Sequence, residues 1–214
     1  MMTKGRLEAL SDGVIAIVLT ILVLEFKVPH LEAGEGDAEL FSSFIHSLPV
    51  VLSYVISFLI LIVWWMSHHQ LLHAVKQINR TTIFLNGIFL MFIALIPYPT
   101  ALMGEYPELR FPAILYGVIG LLCGASYYGL YHHLLKVNVD HPFTSNRSAV
   151  SFKGTWLFLV VYLVAIGFAF ITPYLSVAVY AAIPIYFFLK KWDDWLPVTA
   201  SRHLWYIPSL KSRK

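Results

Sequence analysis

The sequence predicts an all-α integral membrane protein with six transmembrane helices per subunit. Three observations lead to this fold class. Hydrophobic residues make up 58% of the 214-residue chain and charged residues 13%, with a mean hydropathy of +0.72, which is far outside the range of soluble domains. Uncharged windows long enough to cross a bilayer recur along the chain. The lysines and arginines fall almost entirely on one side of the predicted crossings.

The first predicted span, residues 6–27, carries a carboxylate inside a hydrophobic stretch. Only twelve uncharged residues separate Asp12 from Glu25, and at about 1.5 Å per residue they cover roughly 18 Å of the ~30 Å hydrocarbon core. Counted from Arg6 to Lys27, the helix is long enough to cross. Asp12 then lies roughly 9 Å inside the charged end, and a carboxylate at that depth requires a partner on a neighbouring helix.

Three further uncharged windows, each bounded by polar or charged residues, predict the next three spans. These spans cover residues 47–67, 81–104 and 111–135. The second of them ends in a Pro-Tyr-Pro-Thr sequence, and we interpret Pro97 and Pro99 as a helix end because proline removes a backbone donor.

The last window, residues 154–189, holds 36 uncharged residues. A single helix of that length would reach roughly 54 Å, so the segment must fold back. Pro173 breaks the helix and gives two spans, residues 154–172 and 174–190. We therefore predict one six-span domain, residues 1–191, followed by a short cytoplasmic or interfacial tail, residues 192–214.

The distribution of positive charge predicts that both termini are cytoplasmic. With that orientation, thirteen of the 15 lysines and arginines lie inside, and only Lys27 and Arg110 lie outside. This asymmetry fits the positive-inside rule and an even number of spans. The net charge of +3 therefore reflects the orientation of the chain in the membrane. We expect the lipid bilayer as a partner and no binding of nucleic acid.

A helical wheel of the first span separates an aliphatic stripe from the carboxylate. At 100° per residue, Ile17, Ile21 and Leu24 fall within about 60° of one another, with the hydroxyl of Thr20 beside them. Asp12 falls roughly 140° away from Ile17. The stripe also suits helix packing or lipid contact, since aliphatic residues fill most membrane helices.

Asp12 is expected to meet polar side chains at the same depth of the membrane. The second span ends with His68 and His69 on the inner side, and the third span begins there with Asn86 one to two turns in. Ser11 adjoins Asp12, and Arg6 can supply a positive charge from the inner surface. We predict that these six residues form a structural polar network that fixes the rotation of the first helix.

Three strings in this sequence resemble signatures of the transmembrane protein 175 family. They are the Arg-x-x-x-Leu-Ser-Asp pattern at residues 6–12, WWMSHH at 64–69 and NGIFLMFIALIPYPT at 86–100. Leu10 stands where the family usually has phenylalanine. The similarity covers the first three spans well and the remaining spans by topology alone.

The resemblance implies a potassium-selective or potassium-preferring cation channel. With one six-span repeat, the chain is similar to prokaryotic members, which form homotetramers in the cell membrane around a pore lined by the first helix. Ile17, Ile21 and Leu24 match the hydrophobic constriction of the family, and Thr20 matches its hydroxyl position. No TVGYG sequence occurs, so a carbonyl filter of the P-loop type is not expected.

Two other functions remain open at this stage. A proton- or ion-coupled secondary transporter could use Asp12 and His69 as titrating groups, although inverted repeats are not evident. A membrane enzyme could hold haem or metal on its histidine pairs, but adjacent histidines point about 100° apart on a helix. No HExxH or CxxC motif occurs, so we expect no enzyme activity, no metal and no cofactor, with potassium as the permeant ion.

Overall fold

The computed structural model describes residues 3–32, 34, 36–138 and 152–189, with side chains described from residue 158 in the last range. Every regular element in these ranges is helical, which confirms the all-α prediction for them. Residues 139–151 and the predicted tail, 192–214, lie outside the described residues. The helices are α1 (Lys4–Ile21), α2 (Asp37–His46), α3 (Leu48–Ala74), α4 (Arg80–Ala94), α5 (Pro97–Glu105), α6 (Arg110–Val137), α7 (Phe152–Ala169) and α8 (Pro173–Leu189).

Four of the described segments are long and apolar enough to cross a membrane. They are Lys4–Glu25, Leu48–Ala74, Arg80–Glu105 and Arg110–Val137. The apolar helices over residues 158–169 and 173–189 are shorter. The chain is therefore a multi-pass membrane protein.

The first span reaches bilayer length because α1 continues as one 3₁₀ turn, Leu22–Glu25. Its 18 α-helical residues rise about 27 Å at 1.5 Å each, and the four residues of the turn add about 8 Å. The sum exceeds the ~30 Å hydrocarbon thickness. The segment Lys4–Glu25 is therefore long enough to cross a membrane, and Asp12 lies within it.

The predicted third span is broken into α4 and α5 by its two prolines. Pro97 and Pro99 have no amide hydrogen, so the α-helical ladder is interrupted at residues 95 and 96. The Thr100 hydroxyl fills the break, bonding the Ile96 carbonyl at 2.8 Å and the Ser57 Oγ of α3 at 2.8 Å. The interruption therefore does not leave this buried hydroxyl unpaired.

The helix α3 extends seven residues beyond the predicted end of the second span, to Ala74. The sequence window stopped at the first histidine, but a helix continues wherever its polar side chains find partners. His68, a residue of α3 beyond the predicted end, is buried within the protein. Near the C-terminus of α3, the Lys4 ammonium donates to the His73 carbonyl at 3.1 Å. A cation at that end also suits the helix dipole.

Helices α6 and α7 pack closely along a seam of glycines. Gly117, Gly120 and Gly124 lie on one face of α6, and a Cβ at Gly120 would collide with the Tyr162 ring of α7. A Cβ at Gly124 would lie 2.9 Å from Leu159. Small residues let membrane helices approach closely, which increases their dispersion contacts.

The first helix packs at one side of the bundle, mainly against α3 and α4. Its buried face repeats every three to four residues, as expected for one side of an α-helix. The residues of this face are Leu7, Ser11, Ile15, Val18 and Leu22. The opposite face of α1 has no cover in the described part of the subunit.

Candidate pore face and its polar anchor

The aliphatic stripe of α1 lies on the uncovered face of the helix. Ile17 is 59% exposed, Ile21 40% and Leu24 74%. The change to a 3₁₀ turn keeps Leu24 in line, because side chains three residues apart eclipse one another in that geometry. The sequence wheel assumed an α-helix throughout, and the 3₁₀ turn preserves its stripe.

Thr20 is the exposed hydroxyl beside this stripe. Its Oγ1 donates to the Ile17 carbonyl at 2.8 Å, a local bond that satisfies the hydroxyl proton. The oxygen lone pairs are then available to water or a cation on the exposed side.

The Asp12 carboxylate has a partner that sequence reasoning did not select. The indole Nε1–H of Trp65 on α3 donates to Asp12 Oδ1 at 2.9 Å, in a partly buried position. Trp65 is the second residue of the WWMSHH sequence, and its indole combines an aromatic ring with one polar N–H donor. Indole donors in partly buried positions usually find an acceptor, and this is the signal that could have identified it.

Three of the six predicted network residues form a separate buried chain of hydrogen bonds. The Oδ1 of Asn86 on α4 lies 2.6 Å from His68 Nε2, and its Nδ2 donates to Ser11 Oγ at 3.0 Å. Ser11 Oγ in turn donates to the Leu7 carbonyl at 2.9 Å. An amide oxygen can only accept, so His68 carries the proton on Nε2 and donates it. The chain ties α1 to both α3 and α4.

Two other predicted network residues do not join this chain. His69 is exposed, and its ring lies against Trp65 with a centroid separation of 5.6 Å. Arg6 is exposed and makes no hydrogen bond or ion pair with the described residues. Arg6 does not reach Asp12 because the two residues are six positions apart on one helix. Arg6 therefore lies about 120° round the helix axis from Asp12 and about 9 Å away along it.

Contacts at two levels align α1 and α3 in antiparallel register. Asp12 meets Trp65, and two helical turns closer to the N-terminus of α1 Lys4 meets the carbonyl of His73. Lys4 also lies 3.6 Å from Glu8, one turn away on its own helix. These contacts fix the rotation of α1 from its buried side.

An ion pair holds the segment that follows the C-terminal end of the same helix. Lys27, two residues after the 3₁₀ turn, lies 2.9 Å from Glu105 at the end of α5. The hydrogen bond to Glu105 raises the pKa of Lys27 above its usual value. Both partners are largely exposed, so the pair positions the segment more than it stabilises the fold.

In the described part of the chain, no three histidine, cysteine or acidic residues lie close enough together to share a metal ion. The second histidine pair diverges, as adjacent helical positions must. His133 bonds Asn79 at 2.9 Å, at the N-terminus of α4, and the His132 ring packs on Tyr128.

Comparison with known proteins identifies the family. The family profile described as endosomal/lysosomal potassium channel TMEM175 matches residues 6–97. A protein named potassium channel from Chamaesiphon minutus is 36% identical over 196 residues, covering 87% of this chain and 94% of the relative. Another so named, from Streptomyces collinus, is 30% identical over 192 residues, covering 86% and 91%.

A solved structure agrees with these relatives. The crystal structure of a lysosomal potassium-selective channel TMEM175 homologue from Chamaesiphon minutus matches with a TM-score of 0.74 at 35% identity, covering 87% of this chain and 96% of that one. The resemblance to the transmembrane protein 175 family is thereby confirmed. The chain belongs to the TMEM175 family, a family of ion channels and not of enzymes, and the bacterial relatives that match nearly its whole length are named potassium channels.

Proposed function

We propose that this chain forms a homotetrameric potassium channel whose central pore is lined by α1. The relatives that match nearly the whole chain are named potassium channels. They are bacterial, which favours the cell membrane of a prokaryote as the location. The observation that carries the proposal is the uncovered face of α1, which joins three aliphatic side chains and one hydroxyl on a helix anchored from its other side.

Six spans per subunit complete the proposed topology. Helices α7 and α8 supply the fifth and sixth spans, expected over residues 154–172 and 174–190, and the break at Pro173 separates them. With both termini cytoplasmic, thirteen of the 15 lysines and arginines lie inside. Residues 1–191 make the channel domain and 192–214 its tail.

The proposed gate is a set of hydrophobic rings. Four copies each of Ile17, Ile21 and Leu24 around the axis form a narrow apolar passage, which excludes water when it closes and forces partial dehydration of the ion when it opens. Thr20 supplies the side-chain oxygen closest to these rings. Potassium sheds water more readily than smaller cations, so a passage with few oxygen ligands favours it.

The experiment is a recording from purified protein in planar bilayers with opposed potassium and sodium gradients. A passive current that reverses near the potassium equilibrium potential supports the channel. Thr20→Val, which keeps the shape and removes the oxygen, should lower the preference for potassium. A flux that follows a proton gradient and disappears in Asp12→Asn would instead support a coupled transporter.

Cysteine modification tests the pore face directly. Ile17→Cys in the open channel should react with a charged, membrane-impermeant thiol reagent, because only an aqueous path brings that reagent to the site. Leu163 is the matched control, since it is 58% exposed against 59% for Ile17 and lies within α7. Equal reactivity at the two positions, or none at Ile17, would remove the pore assignment.

A further inference from the structure

The inner half of the uncovered face of α1 has features that the constriction does not use. Leu10 is a large aliphatic residue that is 47% exposed. It lies seven residues before Ile17, which is two helical turns, so the two side chains point within about 20° of each other and are roughly 10 Å apart along the axis. Leu10 and Ile17 therefore face the same side of the helix, and Leu10 lies nearer the cytoplasm.

Between these two side chains the same face is nearly bare. Gly13 lies one turn from each, exposed, and a Cβ placed on it would have no atom within 4 Å. The exposed residues that flank it, Ala9 and Ala16, have only a methyl group. Along this face, the large side chain of Leu10 is therefore followed by a gap about two turns long and then by the large side chain of Ile17.

We propose that Leu10 forms a second hydrophobic ring on the cytoplasmic side, and that Gly13 opens a chamber between this ring and the Ile17 ring. The chamber receives a hydrated potassium ion before the constriction removes part of its water. This inference rests on the proposed function, because it needs four copies of α1 around a common axis.

The chemistry of the chamber explains why the ion keeps its water there. The one carboxylate of α1 at this level, Asp12, points about 100° away from Gly13 and is bonded to Trp65. The nearest charge on the exposed face is Arg6, one turn closer to the cytoplasm than Leu10. An apolar chamber without an oxygen ligand cannot replace the hydration shell of a cation, so only water can solvate the ion within it.

Cysteine modification from the cytoplasmic side tests the position of the chamber. In the closed channel, Gly13→Cys should react with a charged thiol reagent applied inside and remain inert to the same reagent applied outside, where the Leu24-to-Ile17 rings block it. Gly87→Cys is the matched control, because Gly87 on α4 is also an exposed helical glycine with open space at its Cβ. The native Cys123 is buried and gives no background.

Filling the chamber tests its role. Gly13→Leu should lower single-channel conductance about tenfold, since flow through a narrow aqueous path depends steeply on its free width. Gly87→Leu should leave conductance unchanged, and size-exclusion profiles report assembly of both variants. Leu10→Ala should raise the cytoplasmic modification rate of Gly13→Cys, because it widens the inner ring.

The outcomes separate this inference from the proposed function. If Ile17→Cys reacts in the open channel while Gly13→Cys is inert, or if an assembled Gly13→Leu channel conducts normally, the pore stands and the chamber is refuted. If neither cysteine reacts in any state, the assignment of α1 to the pore fails, and the chamber fails with it.

Discussion

The bond between Asp12 and Trp65 leads to a prediction in which two similar substitutions have different effects. Trp65 donates to Asp12 Oδ1 at 2.9 Å, so the contact needs an acceptor oxygen and does not strictly need a charge. Asp12→Asn can present its amide oxygen at the same place, whereas Asp12→Ala removes the acceptor. Trp65→Phe removes the donor and keeps most of the ring.

The magnitudes are set by the type of bond and its partial burial. A hydrogen bond to a charged group contributes about 1.5–3 kcal/mol and a neutral one about 0.5–1.5 kcal/mol. Because the pair is half-buried, the lower part of each range applies. We expect Asp12→Asn to cost about 1 kcal/mol, and Asp12→Ala or Trp65→Phe about 2 kcal/mol each. The double variant should cost little more than either single one.

The assay is the melting temperature of the purified channel, measured as the loss of the assembled peak in size-exclusion chromatography after heating. At about 2–4 °C per kcal/mol for a chain of this size, Asp12→Ala should melt some degrees below Asp12→Asn. Asp37→Asn, on the exposed helix α2, serves as the control carboxylate.

Two results would refute this reasoning. Equal melting temperatures for Asp12→Asn and Asp12→Ala would show that the charge, and not the hydrogen bond, matters at this position. Additive losses in the Asp12→Ala, Trp65→Phe double variant would show that the two side chains act independently. Potassium preference should be unchanged in every assembled variant, since the wheel turns Asp12 about 140° from Ile17.

Three further predictions concern parts of the fold remote from this bond. Gly120→Ala should prevent recovery of folded protein because its Cβ collides with the Tyr162 ring, whereas Gly129→Ala has open space and should melt at or above the parent temperature. Thr100→Val removes the hydroxyl at the break between α4 and α5 and should lower the free energy of unfolding by about 1–2 kcal/mol, measured by thermal melting. A backbone N–H at the start of α2 lowers the pKa of Glu39, so its capping contribution is complete above the ordinary carboxyl range and is lost as the pH falls through the lowered pKa. The protection factors against hydrogen exchange in the first turn of α2, which compare the measured rate with the intrinsic rate at the same pH, should therefore fall in acid, and Glu39→Gln should remove that fall.

Each of these predictions has an outcome that contradicts it. A monodisperse, thermally stable Gly120→Ala protein would show that α6 and α7 can separate without loss of fold. A Thr100→Val variant with the parent melting temperature would show that water can replace the hydroxyl at the break. A protection factor at the start of α2 that is independent of pH in the parent protein would exclude the capping role of Glu39.

The two faces of α1 could be predicted from sequence because helical periodicity does not depend on the neighbours of a helix. The wheel turned Asp12 away from Ile17, and in the structure Asp12 bonds α3 while Ile17 is uncovered. The partner of Asp12 could not be predicted in the same way. Depth in the membrane can be counted in residues, but the side of α3 that meets α1 depends on packing among all the helices. Trp65 and His68 are three residues apart and bond different partners.

The ends of the helices could be predicted less well than their existence. Polar residues marked the end of the second span at residue 67, yet α3 continues to Ala74 because its C-terminal end is capped from α1. Pro97 and Pro99 indicated a helix end, and α4 ends at Ala94, just before them; the sequence did not indicate that the chain resumes at once as α5. The prolines predict the interruption, whereas the hydrogen bond from the Thr100 hydroxyl to Ser57 of α3 depends on tertiary packing and could not be predicted from local sequence.

The glycine seam between α6 and α7 implies that the residues that limit folding differ from the residues that would limit conduction. At Gly117, Gly120 and Gly124 any side chain must displace a neighbour, so a library of variants scored for abundance in the membrane should show almost no tolerated substitution along this seam. The uncovered face of α1 should accept many substitutions by that measure and few when the same library is scored for potassium flux. The positions where the fold tolerates least change thus lie on α6, and not on the helix that is proposed to line the pore.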